Sequence, residues 1–164
     1  MKKLKLALLG CGYLNEIVAN AMKDGYLPEY ELIAVLGRNQ DRAKAFAEHF
    51  GCKVCADINE LMDMKPDYIA EAASVKSIKD YSETILNGGS NLVVLSIGAF
   101  ADKEFYEQVK NTAARNNRRV YIASGAVGGF DVLRTAALMS PITASISSQK
   151  APGSLYYSPL YKDG

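Results

Sequence analysis

The sequence predicts an α/β protein with a doubly wound parallel sheet and an incomplete second α/β domain at the C-terminus. Short apolar runs alternate with helical patterns along most of the chain, which is typical of βαβ repetition. The connections between these runs are short, as parallel crossovers require. A glycine turn separates the first apolar run from the first helical pattern. We therefore expect a sheet covered by helices on both faces, with ligands beyond the carboxyl ends of its strands.

The first strand is predicted over residues 6–9 and leads into Gly10 and Gly12. A helix follows, because apolar residues recur at helical spacing at Leu14, Ile17, Val18, Ala21 and Met22. Strand, glycine turn and helix in this order are typical of a dinucleotide site, where the turn and helix start face the pyrophosphate. Asn15 stands in place of the third glycine of that motif. We expect Gly10, Gly12, Tyr13 and Leu14 to contact a cofactor, and the alternative is a tight turn without a ligand.

The second strand is predicted over residues 31–36, and its end carries an arginine where NAD-type folds usually carry an acid. The first acid after the strand is Asp41, whereas Arg38 directly follows Gly37. An arginine fork matches the geometry of a 2′-phosphate. Arg38 therefore favours NADP over NAD as cofactor, and the alternative is an ordinary surface arginine.

Further strands are predicted over residues 53–56, 68–73, 91–95 and 119–123, with helices that begin near Asn39, Asp57, Ser74 and Asp102. Because parallel strands end at one edge of the sheet, the loops at 10–15, 37–39, 72–74, 96–99 and 124–129 should converge on one crevice. Small residues there allow close approach of a backbone to a ligand, and serine hydroxyls can donate hydrogen bonds. We therefore expect Ala73, Ser74, Ser96 and Gly98 to line the cofactor site.

The cysteines and the one histidine of the chain do not predict a metal site or a catalytic group. Cys52 and Cys55 have CxxC spacing, but the chain offers no second ligand pair. Ordinary buried thiols are the favoured interpretation of that pair. His49 lies on the predicted second helix, away from every glycine loop, which favours a partly exposed structural residue.

The C-terminal part differs in kind from the βαβ repeats. A glycine-rich loop over residues 124–131 leads into a predicted helix over 132–139, which Asp131 could cap. Ile142, Ala144 and Ile146 then alternate with polar residues, which predicts a half-buried strand. We place a domain boundary near residue 127, with a dinucleotide-binding domain over 1–127 and the start of a substrate or dimerisation domain over 128–164.

Composition narrows the classes of function. The 164 residues are 49% hydrophobic and 23% charged, with a net charge of +1. This balance is typical of a globular protein and gives no sign of nucleic-acid or membrane binding. The apolar run near the N-terminus is short and ends in the glycine turn, which favours a cytoplasmic protein over a secreted one.

Four stretches together resemble L-aspartate dehydrogenase: residues 10–12, 71–74 (Glu-Ala-Ala-Ser), 96–102 (Ser-Ile-Gly-Ala-Phe-Ala-Asp) and 124–131 (Ser-Gly-Ala-Val-Gly-Gly-Phe-Asp). The resemblance implies a Rossmann-type domain, a smaller α/β domain and a homodimer. It implies NAD- or NADP-dependent oxidative deamination of aspartate to iminoaspartate, which feeds NAD biosynthesis. It also implies that Ala126 contacts the cofactor on its nicotinamide side.

The same resemblance leaves the catalytic residue of this chain unknown. Members of the family carry a catalytic histidine and a cofactor-contacting asparagine in a part of the second domain that residues 1–164 do not include. We therefore expect these 164 residues to bind cofactor without a catalytic histidine of their own. Three alternatives stay open: a homoserine dehydrogenase-like enzyme, a glucose–fructose oxidoreductase-like enzyme, and an NAD(P)-binding module without catalysis.

Overall fold

A computed structural model describes residues 2–124, 130–145, 147 and 149, and only the backbone of Phe130 and Asp131. The chain divides into two compact units, Met1–Gly128 and Gly129–Gly164. The first unit contains the sheet. In the described part of the second, the one regular element is a helix. The predicted domains 1–127 and 128–164 remain a prediction.

Six strands form one parallel sheet in the order β3-β2-β1-β4-β5-β6. The strands are β1 (Leu4–Leu9), β2 (Tyr30–Leu36), β3 (Lys53–Cys55), β4 (Tyr68–Glu71), β5 (Asn91–Val94) and β6 (Val120–Ile122). The order reverses at β1, which pairs with β2 on one side and β4 on the other. Ligands of doubly wound sheets bind at such a reversal, beyond the carboxyl ends of the strands.

In the first unit, helices connect the strands and cover the sheet: α1 (Tyr13–Lys23), α2 (Gln40–Phe50), α3 (Ile58–Asp63), α4 (Val75–Asn87) and α5 (Lys103–Arg115), with a short 3-10 helix over Ile97–Ala101. The second unit contains α6 (Phe130–Met139). None of the helices in the described ranges is long and apolar enough to span a bilayer. The predicted doubly wound α/β architecture is confirmed.

The apolar core has two parts, one on each face of the sheet. Residues of β1 contribute to both parts in alternation, because Ala7 and Leu9 face one side of the sheet while Leu6 and Leu8 face the other. Side chains of α3, α4 and α5 pack on the first side, and those of α1 and α2 on the second. Burial on both faces explains why the strands read as nearly continuous apolar runs.

Not all of the apolar residues whose spacing predicts α1 are buried. Leu14 and Ile17 are 50% and 48% exposed, whereas Asn15 and Ala19 are buried. The side-chain amide of Asn15 donates to the carbonyl oxygens of Leu9 at 3.0 Å and Gly10 at 2.7 Å. These bonds hold Asn15 against the end of β1, and α1 faces the sheet with Asn15, Val18, Ala19 and Met22.

The strand predicted over residues 142–146 is also not found. Residues 141–145 form no regular secondary structure, and Ile146 lies outside the described residues. The alternating pattern alone is insufficient because a strand needs a partner for its backbone hydrogen bonds. The predicted helix after the glycine-rich loop is confirmed, while the capping role of Asp131 concerns a side chain outside the described ones.

Candidate functional site

The glycine turn between β1 and α1 closes tightly against the loop that follows β4. Gly10 has a φ of +102°, and a Cβ atom there would lie 2.8 Å from the carbonyl oxygen of Ala72. The N–H of Gly10 donates to the carbonyl of Leu36 at 2.7 Å, which ties the turn to β2 as well. Gly12 has an extended backbone, and a Cβ atom added to it would meet none of the described atoms within 4 Å. The turn is thus closed at Gly10 and open at Gly12.

The start of α1 differs from the starts of the other four α-helices in the first unit. Side chains cap those four: Asn39 on α2, Asp57 on α3, Ser74 on α4 and Asp102 on α5. Gly12, at the start of α1, has no side chain and caps nothing. The free N–H groups and positive dipole end of α1 therefore remain available to an anion.

Two adjoining cavities lie at this edge of the sheet, with volumes of about 310 Å³ and 500 Å³. Both are lined by Gly10, Arg38, Ala73 and Ser74, and the smaller one also by Gly12. Such volumes lie in the range of ordinary small-molecule sites. The structure therefore brings together five of the residues that the sequence predicts for the cofactor site.

Arg42 is a residue of the cavity that the sequence reasoning missed. It lines the smaller cavity with Arg38 and is exposed, as Arg38 is. Its backbone N–H donates to the side chain of Asn39 at 2.9 Å, which holds the first turn of α2 in place. Its place in the first turn of the helix predicted after the second strand, close to Arg38, was the signal that could have found it.

Four other predicted site residues, Tyr13, Leu14, Ser96 and Gly98, line neither cavity. Tyr13 is 72% exposed and Leu14 50% exposed on the first turn of α1. A methyl group at Gly98, in the 3-10 helix, would contact a methyl of Val75 at 3.5 Å. Ser96 precedes that helix and bonds to Glu71. Ala126 lies outside the described residues.

Glu71, the last residue of β4, is a second residue that the sequence reasoning did not assign. Its side chain is completely buried. Oε1 accepts hydrogen bonds from the N–H groups of Ala73 at 2.8 Å and Ser74 at 3.0 Å, and from the hydroxyl of Ser96 at 2.8 Å. Oε2 accepts from the N–H of Ser96 at 3.1 Å. The carboxylate therefore connects the loops after β4 and β5.

Cys52, Cys55 and His49 lie outside this site, whereas Cys11 lines the smaller cavity. Cys52 precedes the short strand β3 and Cys55 is its last residue; both are free thiols, and burial raises the pKa of the Cys52 thiol to about 11. His49 is exposed near the end of α2, with its ring edge-to-face against Phe50 at 4.6 Å. Within the described ranges no cluster of three or more His, Cys, Asp or Glu side chains could hold a metal ion.

Comparison with known sequences points to dehydrogenases. The family model for the NAD-binding domain of homoserine dehydrogenase matches residues 10–123. L-aspartate dehydrogenase of Methanocaldococcus jannaschii is 33% identical over 131 residues, which are 80% of this chain and 49% of that protein. The enzyme of Archaeoglobus fulgidus is 34% identical, over 80% of this chain and 50% of its own. The chain thus spans about half the length of the curated relatives it matches, and its predicted resemblance to aspartate dehydrogenases is confirmed.

Comparison with solved structures gives the same result for the fold. Aspartate dehydrogenase from Thermotoga maritima aligns with a TM-score of 0.62 and 26% identity, over 80% of this chain and 50% of that one. The WlbA dehydrogenase from Chromobacterium violaceum, solved in complex with NADH and UDP-GlcNAcA, aligns with a TM-score of 0.69. It shares 18% identity, over 75% of this chain and 35% of that one, so it supports the fold alone.

Proposed function

Since the chain belongs to the family of homoserine dehydrogenase NAD-binding domains, we propose that its first unit binds a nicotinamide dinucleotide at the reversal of strand order, with a preference for NADP over NAD. The observation that carries the proposal is the open glycine turn at the uncapped start of α1, which shares a cavity with Arg38 and Arg42. We propose that this dinucleotide-binding domain ends near residue 127.

The start of α1 suits the pyrophosphate of such a cofactor. A phosphate needs close approach to backbone N–H groups, and a bare Gly12 leaves that approach open. The other α-helix starts of the first unit are occupied by their own capping side chains and are poorer anion sites. Tyr13 and Leu14 contribute through their backbone at this start rather than through their exposed side chains.

The two arginines favour a cofactor with a 2′-phosphate. Gly37 follows β2 and offers no carboxylate for the ribose hydroxyls, and Asp41 lines neither cavity. Arg38 and Arg42 instead give the rim of the smaller cavity a positive charge. A guanidinium binds phosphate oxygens in a bidentate way and stays charged at every relevant pH.

For the whole protein we propose NAD(P)-dependent oxidative deamination of L-aspartate to iminoaspartate, in the direction of NAD biosynthesis, by a cytoplasmic homodimer. The named relatives support this substrate. A bound nicotinamide would supply the hydride acceptor. Residues of this chain bind and orient that cofactor, with Ala73 and Ser74 lining both cavities. No histidine lines either cavity, so we propose that the proton-transferring group comes from outside residues 1–164.

Fluorescence titration of the chain with NADPH and with NADH tests the cofactor proposal. We expect NADPH to bind about tenfold more tightly, since charge-assisted hydrogen bonds to one added phosphate contribute about 1.5–3 kcal/mol. Arg38→Ala should remove that difference while leaving the affinity for NADH unchanged. Lys44→Ala, which removes an exposed charge of α2 away from the cavities, is the matched control. Equal affinities in the unsubstituted chain would refute the preference, and no binding of either cofactor would refute the site.

Addition of aspartate to the NADP-loaded chain tests the proposal that the proton-transferring group lies outside residues 1–164. We expect binding without formation of NADPH. Steady NADPH formation by residues 1–164 would show that they contain a proton-transferring group, and the proposal that it comes from elsewhere would then be wrong.

A further inference from the structure

We propose that Glu71 is a positioning residue, which holds the loops after β4 and β5 in the conformation that receives the nicotinamide cofactor. This inference rests on the proposed function of the same crevice. Glu71 itself is completely buried and cannot reach a ligand in the crevice. It therefore acts through the residues that it bonds.

The burial of Glu71 is unusual because no basic side chain accompanies it. In the described ranges it is the one buried acid, and the four ion pairs found there all join exposed lysines to other acids. A buried carboxylate without a partner is strongly destabilising. The four hydrogen bonds that it accepts therefore satisfy it, and all of them come from two loops of the candidate site.

The donors divide between the loops in a way that links them. Ala73 and Ser74, which line both cavities, donate their N–H groups to Oε1. Ser96, two residues beyond β5, donates its hydroxyl to Oε1 and its N–H to Oε2. Each loop thus donates two hydrogen bonds to the same carboxylate, so a shift of one loop disturbs the side chain that also holds the other loop.

The glycine turn rests on the same assembly. The Ala72 carbonyl oxygen would lie 2.8 Å from a methyl group added at Gly10, and the N–H of Ala72 donates to the Leu9 carbonyl at 3.0 Å. Movement of the loop after β4 would therefore change the space beside the turn. Glu71 also engages the N–H groups of Ala73 and Ser74, which directly precede α4.

The substitution Glu71→Gln tests this inference because glutamine has the same shape but cannot accept all four bonds. If the glutamine oxygen takes the place of Oε1, the NH₂ group takes the place of Oε2 and faces the N–H of Ser96, which then has no acceptor. If the amide is flipped, the NH₂ group faces the N–H groups of Ala73 and Ser74 instead. One or the other loop is released. We expect the Kd for NADPH to rise about tenfold, as for the loss of one buried hydrogen bond and the exposure of its donor.

Ser90→Ala is the matched control at the other end of the sheet. Ser90 is also completely buried, precedes β5, and donates its hydroxyl to the Pro66 carbonyl at 2.6 Å. Titrations are made at a temperature at which each variant is fully folded, so that a loss of stability alone does not change the Kd. We expect Ser90→Ala to bind NADPH within about twofold of the unsubstituted chain.

Amide hydrogen exchange of the cofactor-free proteins gives a readout that a general loss of stability would not reproduce. In Glu71→Gln, exchange should accelerate at residues 72–76 and 95–98 and stay unchanged in the centre of the sheet. In Ser90→Ala, those two loops should keep their protection. Acceleration spread evenly over the protein would show that Glu71 is merely structural and would overturn the inference.

The outcomes separate this inference from the proposed function. Unchanged NADPH affinity in Glu71→Gln overturns the positioning role alone, and no binding to the unsubstituted chain overturns the proposed function and this inference with it. If Glu71→Gln does not fold, Ser96→Ala removes one of the four bonds with a smaller perturbation. We then expect an NADPH Kd about threefold higher, together with faster exchange at residues 95–98, and unchanged values of both overturn the inference.

Discussion

Replacing Gly10 with alanine should destabilise the protein through two separate effects. The φ of +102° is unfavourable for a residue with a Cβ atom, at a cost of about 1–2 kcal/mol. The added methyl would also lie 2.8 Å from the oxygen and 3.0 Å from the carbon of the Ala72 carbonyl. Both atoms belong to backbone held by β4, so overpacking adds about 1–3 kcal/mol. We expect the free energy of unfolding to fall by about 2–5 kcal/mol in total.

Two other glycines separate these effects. Gly25 has a φ of +80° but open space around it, so Gly25→Ala should cost only the backbone term of about 1–2 kcal/mol. Gly12 has neither a positive φ nor a close neighbour among the described residues, so Gly12→Ala should change stability by less than about 1 kcal/mol. Urea unfolding followed by circular dichroism measures all three variants.

The result that would refute the reasoning is a Gly10→Ala variant that unfolds at the same urea concentration as Gly25→Ala. The contact with Ala72 would then contribute nothing. Gly12→Ala should in addition lose NADPH affinity while it keeps its stability, because its methyl group occupies the open side of the turn. Unchanged NADPH binding in that variant would place the pyrophosphate elsewhere.

Three further predictions follow from other side chains. Asn15→Ala removes hydrogen bonds to the carbonyls of Leu9 and Gly10 and should lower the free energy of unfolding by about 1–3 kcal/mol. The exposed control Asn20→Ala should change it by less than about 0.5 kcal/mol. Equal effects of the two substitutions in urea unfolding would contradict this prediction. Because the pKa of the Cys52 thiol is raised to about 11, only about a thousandth of this residue is thiolate at pH 8. Its rate of alkylation by iodoacetamide should therefore rise about tenfold per pH unit up to pH 10. A rate that reaches a plateau below pH 10 would contradict this prediction. Hydrogen bonds from Lys79 and from the first turn of α5 lower the pKa of the Asp102 carboxyl below its usual value of 3.8. The ionised carboxylate therefore stabilises the folded protein fully above pH 3.8, and this stabilisation is lost as the pH falls through the lowered pKa. The difference in unfolding free energy between the unsubstituted chain and Asp102→Asn, measured from about pH 5 downward, should therefore narrow in acid, and a constant difference would exclude the charge as its cause.

Much of the fold could be predicted because the local signals agree with each other. Every strand of the sheet begins and ends within about two residues of its predicted bounds, and Asn39, Asp57, Ser74 and Asp102 cap the helices that they were predicted to begin. Apolar runs and capping residues act over a few neighbours, so a sequence displays them directly. The meeting of Gly10 with Arg38 and Ser74 followed from the general geometry of parallel strands.

The features that could not be predicted depend on contacts between distant segments. Leu14 and Ile17 match helical spacing, yet both are exposed, while the polar Asn15 between them is buried and bonded to the end of β1. Nothing in the sequence pattern indicates that Glu71 is wrapped by donors from a loop 25 residues further on. Buried polar side chains are placed by the tertiary structure, and their spacing carries no periodic signal.

The exposure of Arg38 and Arg42 has a consequence for how the cofactor preference of this domain can change. The walls of the crevice near Gly10 and Ala72 are backbone that the sheet holds in place, whereas both guanidinium groups stand on its rim in water. Exposed substitutions usually change stability by no more than about 0.5 kcal/mol. Mutations at these two positions could therefore change the preference between NAD and NADP without loss of the fold. A library randomised at positions 38 and 42 should contain mostly folded members.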